Sequence, residues 1–141
     1  MTQSVPPQLQ VIPQLPAVLV SENHWRCAWS IRNVGPALIT IQAAWLPHAR
    51  FRAERREFPS GIALVPGQDT QLEFEVACQE TAGTVVENPF VILTVESERA
   101  IWRVFARLTV HFGDQGRPEP RTELITVNPL GFSSDTMPTR A

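Results

Sequence analysis

The chain has 141 residues, with 12 Arg, no Lys, 14 acidic residues and a formal net charge of −2. Without Lys there is no Schiff-base lysine and no phosphate-loop lysine. Without net positive charge there is no global field to draw in nucleic acid or an anionic membrane.

Val, Ile and Thr together account for 33 residues against 11 Leu. Branched side chains suit a pleated surface and lose rotamer freedom in a helix, so the bias is towards strands. Residues 1–16 hold Pro6, Pro7, Pro13 and Pro16 and read as a Pro-rich extended lead-in or edge segment. The start lacks a basic residue followed by an apolar run, so the expected location is cytoplasmic, or extracytoplasmic if a leader has been removed. The longest early apolar run, Ala17 to Val20, is far too short to span a bilayer.

From His24 to Arg32 the pattern alternates, with Trp25, Cys27, Trp29 and Ile31 on one side and Arg26 and Arg32 on the other. That period of two predicts a half-buried strand. Asn33-Val34-Gly35-Pro36 supplies a turn. A second strand is expected over Ala37 to Trp45, with Ile39, Ile41, Ala43 and Trp45 inward and Pro47 ending it. Arg50 to Phe58 fits either an edge strand or a short helix. Val65-Pro66-Gly67-Gln68-Asp69 is a turn, and Gln71 to Cys78 alternates again, with Leu72, Phe74, Val76 and Cys78 inward. Phe90 to Val95 is apolar on both parities and predicts a central strand covered on both sides. Trp102, Val104, Ala106, Leu108, Val110 and Phe112 form the inner face of another strand, with Arg103, Phe105 and Arg107 opposite. Thr122 to Val127 adds a last one. Seven or eight short strands separated by turn signals, with no amphipathic helix, predict an all-β antiparallel β-sandwich, with a closed β-barrel as the alternative. The domain is expected over 17–128, with a flexible C-terminal tail over 129–141.

Ser30-Ile31-Arg32-Asn33-Val34-Gly35, followed about thirty residues later by Leu64-Val65-Pro66-Gly67-Gln68 and Leu72-Glu73-Phe74-Glu75-Val76, resembles bacterial immunoglobulin-like sandwich modules. In adhesion-related domains, accessory sandwich domains of glycosidases, and PapD-like or major-sperm-protein-like folds, a strand ending in an Asn-x-Gly turn precedes a Pro-Gly turn that feeds another strand. The resemblance covers roughly residues 17 to 112 and implies a scaffolding or binding module.

Catalytic signals are absent from the pattern. His24, His48 and His111 are far apart and none has a ligand partner at metal-binding spacing. No nucleophile elbow or Gly-rich phosphate loop occurs. No enzyme activity, cofactor or metal is expected. Cys27 and Cys78 share inward parity and are expected as reduced core cysteines. The four tryptophans fall on inward parity and are expected in the core rather than on a platform for sugar or bases.

Two groups of residues stand out as interaction candidates. Arg50, Arg52, Arg55 and Arg56 surround Phe51 in a basic cluster, partly neutralised by Glu54 and Glu57, which reads as a solvated edge that discourages aggregation. Arg103, Phe105 and Arg107, with Arg26 and Arg32 at outward parity on the earlier strand, form the favoured partner surface. The expected function is non-catalytic: a protein-interaction or assembly module docking through an Arg-rich sheet face or an edge strand, with self-association through that edge as a further option. A small-ligand or carbohydrate-binding module is the alternative. Nucleic acid and membrane are not expected partners.

Overall fold

A computed structural model describes residues 5–132 of the chain. Eight strands occur there: β1 (Leu9–Ser21), β2 (His24–Asn33), β3 (Ile39–His48), β4 (Phe51–Leu64), β5 (Asp69–Ala77), β6 (Val85–Ser97), β7 (Ala100–Phe112) and β8 (Pro118–Phe132). They form one antiparallel sheet in the order β1-β2-β5-β4-β3-β6-β7-β8. The fold is all-β and antiparallel, as the alternation requires, and the sheet nearly closes on itself in a barrel-like way. Of the segment Arg50 to Phe58, Phe51 onward resolves as strand rather than helix, with Arg50 in the turn before it.

The sheet has two weak seams. Between β4 and β5 a single bridge, Arg52 with Ala77, holds the ladder. Between β1 and β8, which lie in contact, side chains join the strands: the Thr122 hydroxyl donates to Val11 O at 2.7 Å and the Arg117 guanidinium to Ala17 O at 2.7 Å. The domain boundary placed at 17 falls inside β1, and β8 runs past residue 128. Residues 133–141 of the expected tail lie outside the described residues.

The core follows the sequence parity over most of its extent. Trp25, Cys27, Trp29 and Ile31 of β2, Leu72, Phe74 and Val76 of β5, and the alternate residues Val104 to Phe112 of β7 are all buried in one cluster. Trp29 is fully buried at its centre, with its ring edge-on to Phe51 at 6.3 Å and to Phe74 at 5.7 Å. Such edge contacts add roughly 0.5–1.5 kcal/mol each to the burial of the ring.

One strand departs from its expected parity. Along β3 the pairing with β6 slips between Ile41 and Ala43, where β3 carries one extra residue; the later shift against β4, between Ala44 and Leu46, puts its extra residue in β4. A single extra residue reverses every side chain beyond it. Ile39 and Ile41 therefore point inward, and so do Ala44 and Leu46, while Ala43 and Trp45 turn to the outer face. The inward placement expected for Ala43 and Trp45 is corrected accordingly: Trp45 is half-buried on the outside, and Ala43 lies outside the main cluster although it is itself buried. Nor does Pro47 end β3, which runs on to His48. Pro59 lies between the pairings of Glu57 and Ile62, and Pro89 in the shift between Glu87 and Phe90. A residue without an N–H is tolerated where the ladder is already broken.

The turns that begin and end this region are tied together by Asn33. Its side chain is fully buried; Nδ2 donates to Ala37 O and to Leu64 O, both at 2.8 Å, and Oδ1 accepts from Gly35 N at 3.0 Å. Its main chain also bonds the Pro-Gly turn, donating to Gln68 O and accepting from Gly67 N. The Asn-x-Gly and Pro-Gly turns are thus two halves of one hydrogen-bonded corner.

Candidate functional site

The slip in β3 assembles the outer face. Trp45, Ile92 of β6 and Phe105 of β7 lie side by side in register, and so do Ala43, Thr94 and Arg103. On β4, the irregular pairing opposite Trp45 aims Arg55 across the ring. The Arg55 guanidinium sits 4.2 Å from the Trp45 ring centre and that of Arg103 5.2 Å. Phe90, in register with Arg107, meets Phe105 edge-on at 6.0 Å. Three aromatic rings and three arginines therefore share one face.

Charge on that face is incompletely neutralised. Arg55 is paired with Glu57, whereas Arg103 and Arg107 have no carboxylate partner among the described residues. Beneath the arginines, Thr94 is 7% exposed, and both its Oγ1 and Arg103 Nε are buried without a hydrogen-bond partner. A buried polar atom left unpaired costs about 1–3 kcal/mol. A guanidinium over an indole keeps its charge while losing part of its hydration, which suits it to a carboxylate arriving from outside.

The remaining candidates are placed elsewhere. Arg26 and Arg32 lie on the outer side of β2, opposite Glu75 and Asp69 of β5, separated from β7 in the sheet order. Arg50, in the β3–β4 turn, makes a two-pronged pair with Glu80, Nε to Oε2 at 3.0 Å and Nη2 to Oε1 at 2.8 Å. These bonds hold the Glu80 carboxyl below the usual range and push Arg50 up. Arg52 pairs with Glu54 at 3.0 Å. Arg56 turns to the β4–β5 seam, donates to Glu73 O and lies over Phe58 at 5.2 Å and Phe74 at 5.8 Å. The basic cluster is thus divided: Arg55 joins the Trp45 face, while Arg50, Arg52 and Arg56 face the β5 side.

Sequence reasoning missed Trp45, Phe90 and Thr94 as members of the face. For Phe90 a signal existed, since the doubly apolar β6 required something over its outer side. What lies there is the row of Trp45, Phe105 and Arg103 rather than another layer of secondary structure.

Other chemistry finds little footing among the described residues. No group of three His, Cys, Asp or Glu stands close enough to hold a metal ion. Cys27 and Cys78 are unbonded and buried, and burial pushes their thiols up to about 12 and about 11 respectively, which keeps both protonated at neutral pH. No helix is long and apolar enough to cross a membrane. A scan of protein-family models finds no match to the chain, and no curated protein is significantly similar to it.

Proposed function

We propose that the chain is a non-catalytic protein-docking module that binds an acidic segment of a partner on the outer face of β4, β3, β6 and β7. The observation that carries this reading is the pair of guanidiniums, Arg55 and Arg103, held on Trp45 beside the Phe90–Phe105 pair, with Arg103 and Arg107 lacking carboxylates. Arginine and tryptophan are among the residue types that dominate binding energy at protein interfaces. An immunoglobulin-like type of fold is supported by the strand order. β1-β2-β5-β4 followed by β3-β6-β7 is the order of the two sheets of such a sandwich joined at one corner, with β8 added. Modules of that kind act by presenting surfaces and edges.

A second reading is favoured by the β4–β5 seam. The ladder parity set by Asn33 with Gln68 and by Cys78 with Asn23 directs the main-chain groups of Gln71, Glu73 and Glu75 towards β4. β4 pairs with β5 only at Ala77. Arg56 takes the place of a strand N–H at Glu73 O, beside a cleft of about 420 Å³ lined by Arg52, Glu54, Phe74 and Glu75. An extended segment displacing Arg56 would add to β5 by main-chain bonds.

Affinity capture from native lysate compares wild type, Arg103→Glu/Arg107→Glu and Arg26→Glu/Arg32→Glu. Partners eluted by salt are expected with wild type and the β2 variant and lost with the β7 variant. Recovery of the same partners by all three refutes the face. Loss only with Arg56→Ala or Arg56→Glu moves the site to the seam.

A further inference from the structure

Thr94 points to the outer face of β6, away from the core cluster that holds Val91, Leu93 and Val95, and yet it is only 7% exposed. Its cover comes from a neighbouring strand. β6 lies between β3 and β7, so Arg103 on β7 must reach across β6, roughly 10 Å at two strand spacings, to bring its guanidinium 5.2 Å from the Trp45 ring centre. Thr94 is the residue in register with Arg103 on the strand that this arm crosses. The covered arrangement leaves polar capacity unused. Thr94 Oγ1 and Arg103 Nε are both buried with no hydrogen-bond partner. Both can donate, and no carboxylate stands between them. Glu96, two residues along β6 from Thr94, accepts from Gln42 Nε2 at 3.2 Å instead. Folded chains seldom leave two adjacent buried donors unanswered, and such a pair is matched to an oxyanion.

We infer that Thr94 and Arg103 form a carboxylate subsite that is closed in the free protein and opens when an acidic side chain of the partner lifts the Arg103 arm from Thr94. This rests on the docking reading above and names the side chain that the face takes. In the open state Arg103 Nε and Thr94 Oγ1 donate to one carboxylate, so binding recovers two hydrogen bonds that the free protein forgoes. The next row along the strands holds Ile92 and Phe105, with Phe90 edge-on to Phe105. It lies two residues from the Thr94–Arg103 row, about 7 Å, which is the spacing of alternate side chains on an extended chain. The segment that fits is extended, with Asp or Glu over Thr94 and a large apolar residue two positions away over Phe105.

The probe is the blocked peptide acetyl-Ser-Glu-Thr-Leu-Ser-Gly-amide, titrated into the isotope-labelled full chain and followed by NMR. The Arg103 Nε–H signal is expected to shift with this peptide and to stay in place when Gln replaces Glu. A peptide with Glu and Leu adjacent should bind more weakly; equal binding overturns the spacing. Thr94→Val keeps the side-chain shape and removes only the hydroxyl. It is expected to weaken peptide binding about 10-fold, while its urea midpoint equals or exceeds that of wild type, because the free protein loses no bond. Thr94→Ser, which restores the hydroxyl, should bind as wild type does. A Thr94→Val variant that binds unchanged, or one that unfolds at lower urea, overturns the subsite: the first makes the hydroxyl a bystander, the second gives it a structural bond. The docking reading fails separately. Lysate partners that survive Arg103→Glu/Arg107→Glu refute the whole face, whereas partners lost with that variant and kept by Thr94→Val refute the subsite alone.

Discussion

Replacing Asn33 by Ala removes three side-chain hydrogen bonds at one buried point. Ala37 O, Leu64 O and Gly35 N all lose their partner, and the bond to Leu64 is itself buried. At about 1 kcal/mol per bond, with the upper part of the range for an acceptor stranded away from water, the loss comes to roughly 3–4 kcal/mol. That is a large share of the roughly 5–15 kcal/mol that holds a domain folded, and corresponds to a fall in Tm of about 10–15 °C at this chain length. Urea unfolding followed by tryptophan fluorescence measures it, with the slope on urea unchanged between variants. Asn33→Asp separates hydrogen bonding from shape. The second oxygen faces two carbonyls, so the folded state favours the protonated acid and its pKa rises above the unfolded value of about 3.9. The folded protein then binds the proton where the unfolded chain has released it, and stability of this variant declines as pH rises from about 4 towards 7. A loss below about 1 kcal/mol for Asn33→Ala, or an Asn33→Asp variant whose deficit does not grow with pH, would refute the view that this amide ties the two turns.

Three further outcomes follow from burial and backbone conformation. Both thiols should react with a thiol reagent only after denaturation, at two per chain. Because burial holds Cys27 at about 12 and Cys78 at about 11 against an ordinary 9.0, the unfolded chain loses these protons first, and stability should fall as pH climbs above about 9. A Cys27→Ser/Cys78→Ser variant should lose that alkaline slope; an unchanged slope rejects the assignment. Gly61 has φ +71°, and a Cβ there would stand 2.4 Å from Thr40 Cγ2. Gly61→Ala is expected to destabilise by about 2–3 kcal/mol in chemical denaturation, and Gly61→Ala/Thr40→Ser should recover the part due to the clash.

The reliability of alternation depended on regular pairing. β2, β5 and β7 keep their inner residues because the β2–β5 ladder is unbroken over its length, and the two shifts between β7 and β8 put the extra residue in β8 and leave the parity of β7 intact. β3 failed at Ala43 because a bulge is created by how two strands meet, and no residue between Ile41 and Trp45 announces it. The same slip decided the candidate site: it moved Trp45 outward, and only then did Arg55 and Arg103 have a ring to rest on. Within the basic cluster the residue types were legible, but their partners were not. Glu80 lies thirty residues beyond Arg50, and Glu73 seventeen beyond Arg56. β1 was hidden for another reason. Only Leu9, Val11 and Ala17 of its apolar side chains are buried while the rest are exposed, and its prolines interrupt the period, so Leu9 to Ser21 does not read as a strand with a buried face.

By itself, then, the sequence determined the class of fold, the inner faces of the regular strands and the turns at Asn33 and Pro66. Those are local properties: side-chain branching, a period of two, and residues suited to tight turns. Only the tertiary structure decided which strand neighbours which, where the sheet nearly closes, and which arginines share a face with which rings. Those depend on register between distant segments, and a one-residue slip in register is invisible along the chain yet reverses every side chain that follows.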